Sequence, residues 1–211
     1  MEHLVITIGR QCGSGGHTIG KLLAQRLGLA FYDKKIVEMV AAKTKLSPDF
    51  IRTHGEYFHG GSIGHIIGYG TRFNGSDKTG SALTDQLHQA QSEIVLEVAR
   101  QGPCVIVGRC ADYVLAGRTP TLDVFIHSEM PYKVQRSVEE HGMDRDRAAA
   151  ILTRRDKARA HHYRFYTDQR WGDARNYDLC LDSGALGVEN CVAVIAGLYE
   201  RFNRQTAAAM G

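Results

Sequence analysis

Five short, largely apolar runs, separated by segments of helical pattern, constrain this chain more than any other feature. They are Leu4–Ile8, Leu29–Phe31, Cys104–Val107, Thr121–Ile126 and Asp178–Leu181. A strand that is apolar on both faces must be covered on both faces. The pattern therefore predicts an α/β fold, with a five-stranded parallel sheet between two layers of helices in a three-layer αβα arrangement. A length of 211 residues suits one domain of this kind, spanning the whole chain. In such sheets ligands bind beyond the carboxyl ends of the strands. A site is therefore to be sought just after residues 8, 31, 107, 126 and 181.

The intervening segments carry helical spacing. Ile19, Leu22, Leu23 and Leu27 fall on one helix face, with Gly28 as the stop, and Ile36, Val37, Val40 and Ala41 mark a second helix over Lys34–Lys43. Ser47-Pro48 starts a further turn. Thr84 is placed to cap a helix burying Leu87, Ala90, Ile94, Val95 and Val98, and Ser128 to cap one ending near Gly142. Asp144 caps a long polar helix running to about Gln169, and Val188, Cys191, Val192, Ile195, Leu198, Tyr199 and Phe202 form the apolar face of the last helix. The tail after Arg204 is expected to fray. The region 55–80 holds eight glycines among His, Tyr and Phe with no sustained period, which is the mark of a functional lid or a disordered insert.

Composition narrows the functional classes. No apolar run reaches the roughly 18 residues of a membrane span. Five cysteines, odd in number and without a C-x-x-C pair, suggest neither a disulfide framework nor a zinc knuckle, and a reducing cytoplasm is the expected location. The ten histidines come without H-E-x-x-H or Cys/His pairing, so no transition metal is expected. A net charge of +3 does not argue for nucleic acid, although Tyr163, Phe165, Tyr166 and Trp171 stand among arginines. The sequence leaves the oligomeric state open, and a homo-oligomer is compatible with it.

The loop after the first strand carries the strongest chemical signal. It reads Gly9-Arg10-Gln11-Cys12-Gly13-Ser14-Gly15-Gly16-His17-Thr18-Ile19-Gly20, with four glycines in the eight positions from Gly13. Between a strand and an amphipathic helix, such a run lets main-chain N–H groups turn inward around an anion, and the helix adds the positive end of its dipole. Gly13, Ser14, Gly15, Gly16, His17 and Thr18 would then surround phosphates, with the Thr18 hydroxyl placed for Mg²⁺. Set against the phosphate-loop motif G-x-x-x-x-G-K-[ST], the lysine position is Gly16. Arg10 and arginines further along the chain are the candidates to replace that charge, and restoring lysine at position 16 is the natural test. A Rossmann dinucleotide site is disfavoured, because the third glycine of G-x-G-x-x-G is out of place.

Three further segments fall on the same strand edge, and together with the loop they resemble the cytidylate kinase-like family. Val105-Ile106-Val107-Gly108-Arg109 resembles that family's strand ending in G-R-D, whose arginine holds the acceptor monophosphate, although Cys110 stands for the aspartate. Phe31-Tyr32-Asp33 matches the acceptor-side aspartate, and Asp33 could equally cap the helix at Lys34. Arg154-Arg155-Asp156-Lys157-Ala158-Arg159 resembles the family's arginine lid, in which Arg155 and Arg159 share a helix face and Asp156 helps hold the acceptor. Tyr177–Ser183 resembles the last strand.

The resemblance implies a phosphate-loop, nucleotide-kinase-like fold with ATP as donor, Mg²⁺, and a nucleotide or other small-molecule acceptor. It assigns catalytic roles to Arg109, Arg155 and Arg159, donor binding to Arg10 and the loop, and acceptor binding to Asp33, Arg109 and Asp156. It places an acceptor-side insert at 55–83 and a lid at 144–176, longer than usual because residues 161–176 are extra. Because the lysine is missing, a non-catalytic nucleotide-binding protein is the alternative.

Overall fold

The computed structural model describes residues 3–54 and 78–209. Strands β1 (Val5–Arg10), β2 (Ala30–Tyr32), β3 (Cys104–Val107), β4 (Thr121–His127) and β5 (Leu179–Asp182) form one parallel sheet in the order β2-β3-β1-β4-β5. Every neighbouring pair is parallel, with Ile6 opposite Val105 and Leu122 at the centre. The expected three-layer α/β fold is thus the one observed.

Side-chain alternation along the strands divides the core in two. Val5, Cys104 and Ile106 pack with Ile36, Val40, Ile94, Val98 and Leu115 on one face. Ile6, Ile8, Val105, Val107, Val124 and Ile126 pack with Ile19, Leu23, Cys191 and Ile195 on the other. The helices of the first face are α2 (Lys34–Thr44), α3 (Pro48–His54), α4 (Lys78–Gln101) and the short α5 (Ala111–Leu115). Those of the second are α1 (Gly16–Leu27) and α9 (Val188–Ala209). Helices α6 (Met130–His141) and α7 (Arg145–Thr167) pack on each other between β4 and β5, and α8 (Ser183–Leu186) is a single turn after β5.

Several boundaries differ from the sequence expectation. Helix α4 begins at Lys78, so Thr84 lies within it and is buried rather than capping it. The amphipathic stripe that starts near Leu87 marks where the helix meets the core, which is later than where the helix begins. The part of the glycine-rich insert at 55–77 lies outside the described residues, and 78–83 is helical. Glu129, not Ser128, flanks α6, whose start is set by Pro131 in the first turn. Asp144 does cap α7, its carboxylate accepting from the N–H groups of Asp146 and Arg147 at 3.0 and 3.1 Å. Helix α9 continues to Ala209, past Arg204. Among the described residues no helix is long and apolar enough to cross a membrane.

Strand order matters for function. From β1 the chain moves out to β2, returns through β3 beside β1, and then crosses to β4 on β1's other side. The carboxyl end of β1 is therefore the point where the winding reverses, and such points form crevices.

Candidate functional site

At that crevice the loop after β1 is held from several directions. The Gln11 N–H donates to the Ile126 carbonyl at 2.9 Å. Ser14 is fully buried. Its hydroxyl donates to the Gln11 carbonyl at 2.8 Å, and its own carbonyl accepts from the Ser183 hydroxyl at 2.6 Å. The Ser14 side chain thus shapes the loop from within. Gly13 and Gly15 both have φ of +80°, which side-chain-bearing residues rarely adopt, and Gly15 is the left-handed residue from which α1 starts. The first N–H groups of a helix have no intrahelical acceptor, and those of α1 follow directly on the loop, which is the arrangement an anion site uses.

Gly16 has a different reason to be glycine. A Cβ there would lie 2.5 Å from Arg10 Cβ and 2.9 Å from Arg10 Cγ. The space a lysine stem would need is filled by the base of Arg10. A lysine placed at position 16 as a test would therefore require Arg10 to shift.

The remaining loop residues are tied to neighbouring elements. His17 Nδ1 bonds Asp33 Oδ2 at 2.5 Å, and its ring meets Phe31 edge-on. Asp33 precedes α2, but its side chain makes no capping bond there, so of its two readings the helix cap is not the one observed. The Thr18 hydroxyl accepts from Arg136 Nη2 at 2.9 Å, and Arg136 also pairs with Glu140 at 2.7 Å. A cation at Thr18 therefore requires Arg136 to withdraw.

Beyond β3, Gly108, Arg109 and Cys110 take φ of 74°, 64° and 52° in succession. Two consecutive non-glycine residues in the left-handed region store backbone strain, which surrounding structure must impose. The turn is held by the Gly108 N–H donating to the Ile8 carbonyl at 3.0 Å, and it buries Arg109 at the mouth of β1.

Arg155, Asp156 and Arg159 lie on α7, against the loop. Arg159 Nη1 donates to the Arg10 carbonyl at 3.2 Å, and Arg155 Nη1 is 4.0 Å from Cys12 Sγ. Asp156 accepts from the Cys12 N–H at 2.7 Å through one oxygen and from Lys133 Nζ at 3.0 Å through the other. Lys133 also donates to Gln11 Oε1 at 3.2 Å. Nothing in the sequence singles out Lys133 or Arg136. They sit in α6, a segment that reads as an ordinary amphipathic helix.

A small cleft lies where the carboxyl ends of β1 and β3 face α7. It is lined by Arg10, Arg109, Arg159, Asp112, Tyr163 and Trp171 among others, and encloses about 30 Å³. That is room for roughly one or two waters, far less than a nucleotide needs. The Tyr163 hydroxyl donates to Asp112 Oδ2 at 2.6 Å, and burial raises the Asp112 carboxyl above its ordinary range despite that bond. Residues after α7, Trp171 and Tyr177, form the outer wall. Beyond Thr167, Asp168 turns the chain with φ of 54°, Trp171 meets Phe125 of β4 edge-on at 5.2 Å, and Tyr177 lies 5.0 Å from the same ring. The segment after α7 is thus folded back against β4.

Comparison with known proteins agrees with this architecture. Residues 5–185 match the cytidylate kinase-like family. A cytidylate kinase of Methanocaldococcus jannaschii is 21% identical over 208 residues, covering 95% of this chain and all of the relative. Among solved structures, an uncharacterised protein of Eubacterium ventriosum superposes with a TM-score of 0.69 at 24% identity, covering 94% of this chain and 99% of that one. A shikimate kinase of Bacteroides thetaiotaomicron gives 0.55 at 15% identity, over 95% of this chain and 99% of its own. A gluconokinase of Sinorhizobium meliloti gives 0.52 at 17% identity, over 95% and 96% respectively, so the fold is that of nucleotide and small-molecule kinases. With the family match spanning most of the length, the chain belongs to the cytidylate kinase-like family.

Proposed function

We propose that this chain transfers a phosphoryl group from ATP to a nucleoside monophosphate of the CMP type or to a related small acceptor. The observation that carries this reading is that three arginines from three segments, Arg10, Arg109 and Arg159, line one cleft at the carboxyl end of β1, where the glycine loop begins. Phosphoryl transfer asks little covalent chemistry of a protein. It needs positioning, and positive charge around the transferring group. Guanidinium supplies both, because its planar fork matches phosphate oxygens and it stays charged at any working pH.

In this reading the amides of Gly13–Thr18 and the start of α1 hold the donor phosphates, with Arg10 beside them. Arg109 and Asp33 position the acceptor, and Arg155 and Arg159 neutralise charge on the phosphoryl in flight. Asp156 belongs to the same lid turn. Mg²⁺, when bound with the donor, would share the neutralisation. The loop residues fit a polyphosphate through their amides, whereas Thr18 fits the metal only once Arg136 has moved away.

A coupled assay with ATP and a panel of ribo- and deoxyribonucleoside monophosphates, extended to small phosphorylatable acceptors, tests the proposal. Turnover with at least one acceptor is expected, and Arg109→Ala should cut kcat/KM by about 100-fold or more, the usual scale for one charge-assisted phosphate contact made in the transition state. No turnover with any acceptor, alongside measurable ATP binding, refutes catalysis and leaves the second reading, a nucleotide-binding protein without transfer activity. That alternative draws on the blocked lysine position at Gly16. The packing sets how it is tested. Gly16→Lys alone clashes with Arg10, so the informative variant is Arg10→Gly with Gly16→Lys, in which the stem has room.

A further inference from the structure

We infer that Lys133 supplies the ammonium that the phosphate loop lacks at position 16, and that Asp156 occupies its place until a donor phosphate displaces it. The inference rests on the ATP-donor reading above and adds a residue and an internal competitor to it.

Three observations converge. First, the loop cannot carry a lysine of its own at Gly16, because the base of Arg10 fills that space. Second, a lysine arrives from elsewhere. Lys133 projects from α6, its side chain is only 5% exposed, and its ammonium lies 3.2 Å from Gln11 Oε1 within the loop. A lysine is seldom buried to this extent without a partner of opposite charge. Third, that partner is a carboxylate shared with the loop backbone. Asp156 bridges the Cys12 N–H at 2.7 Å and Lys133 Nζ at 3.0 Å.

The carboxylate shows what the pair recognises. Two oxygens carrying negative charge are held by one main-chain N–H and one ammonium, which is the donor set a terminal phosphoryl oxygen pair requires. Asp156 belongs to the lid helix, one residue from Arg155 and three from Arg159. Departure of its carboxylate would therefore exchange a lid–loop contact for a lid–phosphate contact by the neighbouring arginines. In the absence of nucleotide the carboxylate compensates the buried ammonium, and a phosphate must compete with it.

Calorimetric titration of ATP into the wild-type chain, Lys133→Met, Asp156→Asn and the double variant tests this, with thermal melts of each to establish folding. Lys133→Met should weaken ATP about 10- to 100-fold, the range for losing a charge-assisted bond. Asp156→Asn should strengthen ATP binding by about fivefold or more, because the competitor loses its charge. The double variant buries no charge at this pair, folds even where Lys133→Met does not, and should bind as weakly as Lys133→Met. Lys133→Arg should recover part of the affinity.

An ion pair that serves only the fold predicts otherwise. Both single variants then lose affinity together with stability, and the double variant binds like the wild type. That pattern overturns the proposal. Should the wild-type chain bind no ATP, the donor reading fails instead, and inorganic tripolyphosphate titrated into the same four proteins decides the matter. Binding that weakens without Lys133 sustains the phosphate site, and absence of binding removes it.

Discussion

Gly16→Ala is the sharpest probe of how this loop is built. The added methyl would stand 2.5 Å from Arg10 Cβ, against a carbon–carbon contact distance of about 3.5–4.0 Å. At least about 1 Å of displacement is needed, and the obstructing atom is fixed to the backbone of β1, where Arg10 is paired opposite Ile126. Overpacking of this kind typically costs about 1–3 kcal/mol. The alanine also gains up to about 1 kcal/mol in helix propensity over glycine, less at a first-turn position, so the net loss should be about 1–2 kcal/mol. Urea unfolding measures it as a lower midpoint at unchanged slope. The decisive comparison is a cycle with Arg10→Gly, which removes both obstructing carbons. Arg10→Gly itself costs about 0.5–1 kcal/mol in a strand, but Gly16→Ala made in that background should be nearly neutral. The two substitutions should therefore couple by about 1 kcal/mol or more. A coupling within about 0.5 kcal/mol of zero would show that Gly16 is not kept small by Arg10, and the argument that the loop excludes its own lysine would fall.

Two further outcomes follow from polar groups withdrawn wholly or partly from solvent. Desolvation pushes the Asp123 carboxyl up to about 6, opposed by the hydroxyls of Thr7 and Thr121 that donate to it. The unfolded side chain titrates near 3.9, so the folded state holds the extra proton and stability should fall as pH rises from about 4 to about 6, by at most about 3 kcal/mol. Asp123→Asn should flatten that slope and leave the protein more stable than wild type at pH 8 in urea titrations, and an unchanged slope would refute the assignment. Ser183→Ala removes the donor to the buried Ser14 carbonyl and should cost about 1–3 kcal/mol while weakening ATP through a looser loop. An unaltered urea midpoint would count against that bond.

The ion pairs around the loop have a common electrostatic origin. Arginines gathered around an anion site repel one another until an anion is present, and a protein without ligand meets that demand with its own carboxylates. Here Glu140 pairs with Arg136, and Asp156 pairs with a lysine, Lys133, at the loop. Substrate binding on this view is an exchange of internal for external anions, with the lid helix carrying both the displaced carboxylate and the guanidiniums that remain.

How far the sequence reached depends on the range of the interactions involved. The five strands, the helices between them and the parallel sheet were legible because strand and helix periodicity are local, and because a strand apolar on both faces admits few architectures. The loop was legible for the same reason, since its glycines adjoin the strand and helix that define it. Helix starts were less so: the apolar stripe reports where a helix touches the core, and α4 begins before that contact at Lys78. What only the tertiary structure decided is which charges meet. Lys133 is separated from Gln11 by 122 positions, and Asp156 from Cys12 by 144. No spacing rule connects residues so far apart, and α6 has no local pattern to mark its single lysine as buried. Gly16 reads in one dimension as a lost lysine. In three dimensions it is a residue that fits beside Arg10 without displacing it, because van der Waals exclusion acts between atoms that folding brings together, whatever their order along the chain.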